Sequence, residues 1–394
     1  MEFKEVIESI QADAARERMR GWRLTRGTND PGHLARLAEA AKLLAGVQKG
    51  DIPAYRFQEA LTTSDFPLLF GQILDRQLLG SYQEFQPTWP NYIKRGTVRD
   101  FRVSDRLYLD GLEGSYFPAH PKPEGATPNI DEALTEGRYQ TQVVVYEKKA
   151  TINWRMLVND DLDAFSTLPE RLARGARRTE ERRATTLFVD ANGPDATFYT
   201  NGNRNCIVQA LGAAANNPPL SIAGLQDGMT ILGNMIDADG EPIVVDAVEL
   251  VVPPALSVTA LNIMNALEIN VTPNAVWGTA MQEIRAANWM RNKMRLSVNP
   301  YIPIVASNAN GNTSWFLFAN PVVSRAAMEL TFLRGYEQPG IFMKAPNTQR
   351  VGGGVDPTLG DFDTNEITYK GLHILGGCQM DVHASVASTG GGGA

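Results

Sequence analysis

The strongest constraint on this chain is a pair of alternating segments that enclose a stretch unable to take up regular structure. In RDFRVSDRLYLD, Phe101, Val103, Leu107 and Leu109 alternate with Arg102, Ser104, Arg106 and Tyr108, the pattern of a half-buried strand with one charged face. A second segment, GRYQTQVVVYEKKATI from Gly137 to Ile152, sets Tyr139, Thr141, Val143 and Val145 on one side. Between them, GLEGSYFPAHPKPEGATPN holds prolines and glycines too densely for helix or strand. The pair is expected to form one long hairpin, and a two-stranded hairpin in water is marginal by itself. Its apolar residues therefore need another surface. Phe101, Val103, Leu107, Tyr139, Val143 and Val145 are expected to carry the hairpin's structure and its packing on a neighbouring molecule.

The next segment reads as a long helix. TLPE, from Thr167 to Glu170, matches a capping box with Pro169 in the first turn. Leu168, Leu172, Ala176, Ala184 and Leu187 then run roughly along one side. The other positions hold Arg174, Arg177, Arg178, Arg182 and Arg183, five arginines in ten residues. Glu170 is spaced to pair with Arg174, and Glu180 and Glu181 with Arg177, Arg178 and Arg183, each pair contributing about 0.2–0.5 kcal/mol. The helix is structural first; arginines left unpaired would be open to a local polyanion.

Composition restricts how far that polyanion reading extends. The 394 residues carry a formal net charge of -7, which argues against free duplex binding as the main task, because such affinity comes from a broadly basic surface. Any contact with nucleic acid is expected to be local and weak. Hydrophobic content of 43% with 21% charge is ordinary for globular protein. The N-terminus lacks the apolar block of a secretory signal, and no run reaches the roughly 18 apolar residues of a membrane span, so a soluble, cytoplasmic product is expected.

Chemistry-bearing motifs are sparse. Cys206 and Cys378 form neither a disulfide framework nor a zinc cluster, and His33, His120, His373 and His383 include no pair at ligand spacing. RVGGGVDP lacks the lysine of a phosphate-binding loop, and DADG at Asp237 to Gly240 lacks the closing glutamate of a calcium loop. Asn159 to Asp161 could supply paired carboxylates, but capping the following helix is the simpler account. No catalytic residue, cofactor or metal is expected.

Elsewhere the period is legible. Helices are expected near Phe3 to Trp22, His33 to Val47 and through TTSDFPLLFGQILDRQLLGSYQ. From Ser221 the texture is α/β: an amphipathic helix with Ile222, Leu225, Met229, Leu232 and Ile236, a turn, the apolar strand IVVDAVELVVPP, the helix SVTALNIMNAL, and strands at SWFLFANP, MELTFLRG and NEITYKGLHILGG.

This order resembles the major capsid proteins of tailed double-stranded DNA bacteriophages, a fold shared with herpesvirus shells and encapsulins. The resemblance rests on TTSDFPLLFGQILDRQLLGSYQ, on INWRMLVNDDLDAFSTLPERLARGARRTEERRATTLFVDANG and on VELVVPPALSVTAL. It implies an α+β fold: an N-terminal helical arm over 1–95, an extended hairpin loop over 96–150, a peripheral domain with a spine helix over 151–220, an axial α/β domain over 221–347, and a return with a tail over 348–394. The first 60 residues would be a long arm or a scaffold-like segment of the kind some relatives remove. The implied partners are many copies of the same chain as pentamers and hexamers, portal and scaffold or cement proteins, and packaged DNA, with no membrane. The implied location is the virion, after assembly in the host cytoplasm. Two alternatives stay open: an encapsulin-like compartment, separable by its gene neighbours, and an α/β enzyme with a helical N-terminal domain, which would show a convergent polar pocket.

Overall fold

The computed structural model describes residues 42, 78–83, 86–110, 135–153, 162–236, 242–243, 248–271, 284–322, 325–344, 361–364 and 366–391. In chain order the strands and helices are β1 (Lys94–Val98), β2 (Ser104–Asp110), β3 (Thr135–Thr141), β4 (Val143–Asn153), α1 (Leu162–Thr185), β5 (Val189–Asp190), β6 (Gly193–Pro194) and α2 (Ile222–Gly233). There follow β7 (Val248–Val252), α3 (Ser257–Asn265), β8 (Glu268–Val271), β9 (Ile284–Ala287), α4 (Met290–Lys293), β10 (Met294–Val298) and α5 (Ile302–Val305). The last are β11 (Trp315–Ala319), β12 (Met328–Leu333), β13 (Gly340–Met343), β14 (Glu366–Gln379) and β15 (Ser385–Ser388). The expected helices before residue 78, the hairpin tip over 111–134 and the turn from Asp237 to Gly240 lie outside the described residues.

The chain divides into two units. The larger comprises Pro87–Val143, Glu180–Leu333 and Gly376–Ala394. Its centre is a four-stranded sheet in the order β10-β7-β11-β15, parallel between β10 and β7 and antiparallel elsewhere. Every residue of β7 (VELVV) and of β11 (WFLFA) is buried, which is why both read as near-continuous apolar runs: each strand is covered on both faces. Alternation along β11 divides the core in two. Trp315 and Leu317 join Leu225, Leu232, Leu250 and Val386 on one side. On the other side Phe316 and Phe318 meet Phe188 edge-on at 4.9 and 5.2 Å, and Phe318 meets Tyr92 at 5.1 Å. Helix α2 is started by Ser221, whose hydroxyl accepts from the Gly224 N–H at 3.1 Å.

The same unit holds the base of the hairpin. β1 runs parallel to β12, with Gly96 opposite Thr331, and β2 pairs antiparallel with β3 from Ser104↔Thr141 to Asp110↔Thr135. Two expectations are corrected here. β2 begins at Ser104, so Phe101 and Val103 precede it; the Phe101 carbonyl accepts from the Gln142 side chain at 3.1 Å. The segment from Gly137 to Ile152 is two strands, not one, interrupted at Gln142. At that point the chain leaves β2 for β14: Val143 is only 2% exposed, and the β14 backbone comes so close that a Cβ at Gly376 would lie 1.9 Å from the Gln142 carbonyl oxygen.

The smaller unit comprises Met1–Gln86, Val144–Thr179 and Arg334–Leu375. Leu78 and Tyr82, from the helical stretch 78–83, pack with Ala173 and Ala176 of α1, joined by Leu172 and Ile341. β13 pairs antiparallel with β14 from Gly340↔Leu372 to Met343↔Tyr369. Helix α1 starts at Leu162, ahead of the capping box read at Thr167, so Thr167 to Glu170 lie inside it.

Truncating Phe318 to alanine should remove the ring contacts to Tyr92 and Phe188 and lower unfolding stability by about 3–5 kcal/mol, measured by urea denaturation of the purified protein.

Candidate assembly hairpin and arginine helix

Register settles what each strand residue of the hairpin faces. Arg106 stands opposite Tyr139 and Tyr108 opposite Gly137, whereas Leu107 stands opposite Arg138 and Asp105 opposite Gln140. Since successive side chains alternate, Tyr139 and Leu107 lie on opposite faces. On the first face the Tyr108 ring crosses the bare backbone of Gly137 and stacks on Tyr139 at 4.6 Å. On the second, Asp105 accepts from Gln140 at 3.1 Å and pairs with Arg138 at 3.8 Å, leaving Leu107 80% exposed among polar neighbours. Phe101, Val103 and Val145 are exposed as well, but Val143 is buried in the protein's own interior.

The hairpin base is held by a half-buried ion pair that spacing does not reveal. Arg106 donates from Nε and Nη2 to one oxygen of Glu329 on β12, at 3.1 and 2.9 Å, and from Nη2 to the Thr97 carbonyl at 2.8 Å. Glu329 is 3% exposed, and its side chain lies over Gly96, where a Cβ would meet its carboxylate at 1.9 Å. Nearby, the hydroxyls of Thr141 and Thr331 are 2.9 Å apart. In the sequence Arg106 reads only as one member of a charged strand face, and its partner is 223 residues away.

Helix α1 distributes its charges otherwise than i,i+4 pairing suggests. The Glu170–Arg174 pair forms. Glu180 and Glu181, expected to pair with arginines on a solvated face, are turned inward and buried. Glu181 accepts the Thr88 hydroxyl, the N–H groups of Thr88 at 2.9 Å and Trp89 at 3.3 Å, and the Tyr92 hydroxyl at 3.5 Å. Glu180 accepts from the Trp89 indole at 3.3 Å. Burial pushes the Glu181 carboxyl above its usual range, against donors that favour its ionised form.

The five arginines accordingly separate. Arg177 donates to the Tyr82 carbonyl at 2.7 Å with its guanidinium 3.5 Å above the Tyr82 ring, and Arg183 reaches the Thr186 hydroxyl at 3.4 Å. Arg174, Arg178 and Arg182 are exposed, and Arg171, not singled out in the sequence, is exposed too.

Burial pushes the Cys206 and Cys378 thiols up to about 11, the reverse of nucleophile activation. Among the described residues no helix is long and apolar enough to cross a membrane.

The family model described as phage capsid protein matches residues 138–384. No curated protein matches the chain. Solved structures that resemble it include the cyanophage Pam1 capsid, at 10% identity and TM-score 0.44, covering 76% of this chain and 89% of that one. Mycobacterium phage Patience matches at 11% identity and TM-score 0.43, covering 83% and 90%. The SrpI encapsulin complex from Synechococcus elongatus matches at 11% identity and TM-score 0.43, covering 78% and 89%.

Replacing Arg106 by alanine should strand the buried Glu329 carboxylate and cost about 1–3 kcal/mol, read as a shift in denaturation midpoint. The double change Arg106→Leu with Glu329→Leu should recover part of that loss.

Proposed function

This chain belongs to the phage capsid protein family, and on that premise we propose that it is the repeating subunit of an icosahedral head enclosing double-stranded DNA. The family match over residues 138–384 carries the reading and favours a phage head over an encapsulin-like compartment. The hairpin supports it. A two-stranded element fixed at its base by a half-buried ion pair, with a leucine held in water on one face and a tyrosine pair on the other, is suited to lie on a second copy. Covering one such leucine contributes about 1.5–3 kcal/mol. Closed symmetric assemblies repeat that contribution at every copy, and several modest interfaces per subunit together hold a shell.

Within this reading, residues 96–150 form the loop that reaches a neighbour, 151–220 the peripheral domain, and 221–347 the axial domain that meets its copies in pentamers and hexamers. Exposed Val258, Leu261 and Leu267, on and just after α3, offer the axial region apolar surface for those contacts. Portal and scaffold or cement proteins are the further partners, the virion is the final location, and the role is structural and not catalytic.

Negative-stain electron microscopy with sedimentation of the expressed protein, alone and beside its neighbouring genes, should give closed particles or capsomer rings. A monomer or dimer under every condition would remove the shell reading. Leu107→Asp should leave the subunit folded by circular dichroism yet prevent closure. Normal particles from both Leu107→Asp and Tyr139→Asp would take the hairpin out of the assembly contact.

A further inference from the structure

Three asparagine–glycine pairs lie in the larger unit: Asn192–Gly193, Asn201–Gly202 and Asn310–Gly311. Such a pair can react with itself, because glycine has no Cβ to keep its amide nitrogen from the preceding side-chain carbonyl carbon, and asparagine counts among the thermolabile residues. The fold treats the three pairs differently. Gly193 is buried and paired with Asp190 between β5 and β6, and the Asn192 side chain accepts from that of Asn308 at 3.4 Å. The Asn310 side chain donates to the Asn192 carbonyl at 2.9 Å, and a Cβ at Gly311 would lie 2.6 Å from the Ala306 carbonyl oxygen. Both of these pairs are held in place. Asn201 and Gly202 are exposed in a turn closed by the Arg204 N–H on the Asn201 carbonyl at 3.2 Å. Neither the Asn201 side chain nor the Gly202 N–H has a hydrogen-bond partner among the described residues. Space is open as well: beyond its chain neighbours, the nearest atom to a Cβ at Gly202 is the Thr200 hydroxyl oxygen at 3.7 Å.

We propose that Asn201 is a site of spontaneous deamidation, converting to aspartate and isoaspartate in the folded protein ahead of Asn192 and Asn310. The Gly202 backbone nitrogen attacks Asn201 Cγ; the new N–Cγ bond closes a succinimide, the Cγ–Nδ2 bond breaks, and ammonia leaves with the proton that the Gly202 amide gave up. Water then opens the ring. Hydrolysis at Cγ leaves aspartate, and hydrolysis at the main-chain carbonyl leaves isoaspartate, whose chain runs on through the former side chain. No oxidant or reductant is needed. Either product adds one negative charge to an exposed turn, and isoaspartate also lengthens the main chain there by one carbon. The change is contained by Asn205, whose buried side chain accepts from the Thr200 N–H at 2.9 Å and donates to the carbonyls of Phe198 and Val382 at 2.9 and 3.1 Å. The chemistry of this turn is independent of the shell role.

The test incubates the full-length folded protein at neutral and mildly alkaline pH and follows peptides spanning each pair by mass spectrometry over time. An isoaspartyl carboxyl methyltransferase with labelled S-adenosylmethionine serves as the probe for isoaspartate. Asn201 is expected to convert several-fold faster than Asn192 and Asn310, and faster as pH rises, because the amide nitrogen attacks after losing its proton. In urea the three rates should converge, which makes the fold and not the dipeptide the source of the difference. Gly202→Ala, for which the turn has room, should fold as judged by circular dichroism and slow conversion of Asn201 several-fold while leaving the other two unchanged. If that variant does not fold, the comparison of the three pairs in the wild type decides alone. Conversion of Asn201 no faster than that of Asn192 and Asn310 in the folded protein overturns the proposal. So does an equal spread of rates in urea, or undiminished conversion in a folded Gly202→Ala.

Discussion

A carboxylate taken out of water has to be met by donors, and two that satisfy this requirement determine how the larger unit is put together. Glu181, in the last turns of α1, gathers the backbone and hydroxyl of Thr88, the Trp89 N–H and the Tyr92 hydroxyl. It thereby fixes the segment that leads into β1. Tyr92 then packs against both Phe188 and Phe318, and Asn299 donates to its hydroxyl at 2.9 Å and to the Thr185 hydroxyl at 2.8 Å. Glu329 does the equivalent for the hairpin, holding Arg106 against β12 with its side chain over Gly96. Donors and acceptors with fixed positions select one arrangement, where apolar packing alone accepts several.

That arrangement divides labour along the hairpin. Polar bonds at its base face the subunit's own strands, through Arg106 to Glu329 and Thr141 to Thr331. Farther along, the apolar and aromatic surface is carried outward on both faces, with Leu107 on one and the Tyr108–Tyr139 stack on the other. Under the proposed role, an element tied at its base would keep its direction for a partner, and preorganisation of this kind lowers the ordering cost of a contact.

The same logic accounts for the arginine helix. Its sequence suggests a face neutralised by neighbouring glutamates, yet two of those glutamates serve the larger unit's interior. At the surface, Glu170 stays beside Arg174, while Arg171, Arg178 and Arg182 are exposed. Charge balance counted along a chain is therefore a poor guide to charge on a helix face, since the count ignores which groups are withdrawn from solvent.

By itself the sequence determined the kind of several described elements, because periodicity and punctuation act over a few residues. Continuous apolar runs marked β7 and β11 as buried strands, Ser221 and the spacing of Leu225 and Leu232 marked α2, and Pro253 closed β7. The order of those elements also sufficed to point to the capsid family. Only the tertiary structure decided the break at Gln142, the burial of Val143, the opposite faces of Leu107 and Tyr139, and the partners of Arg106, Glu180 and Glu181. The reason is distance along the chain: Thr88 and Glu181 are 93 residues apart, and Arg106 and Glu329 are 223 apart. No local pattern encodes which far segment will offer the donor that a buried carboxylate needs.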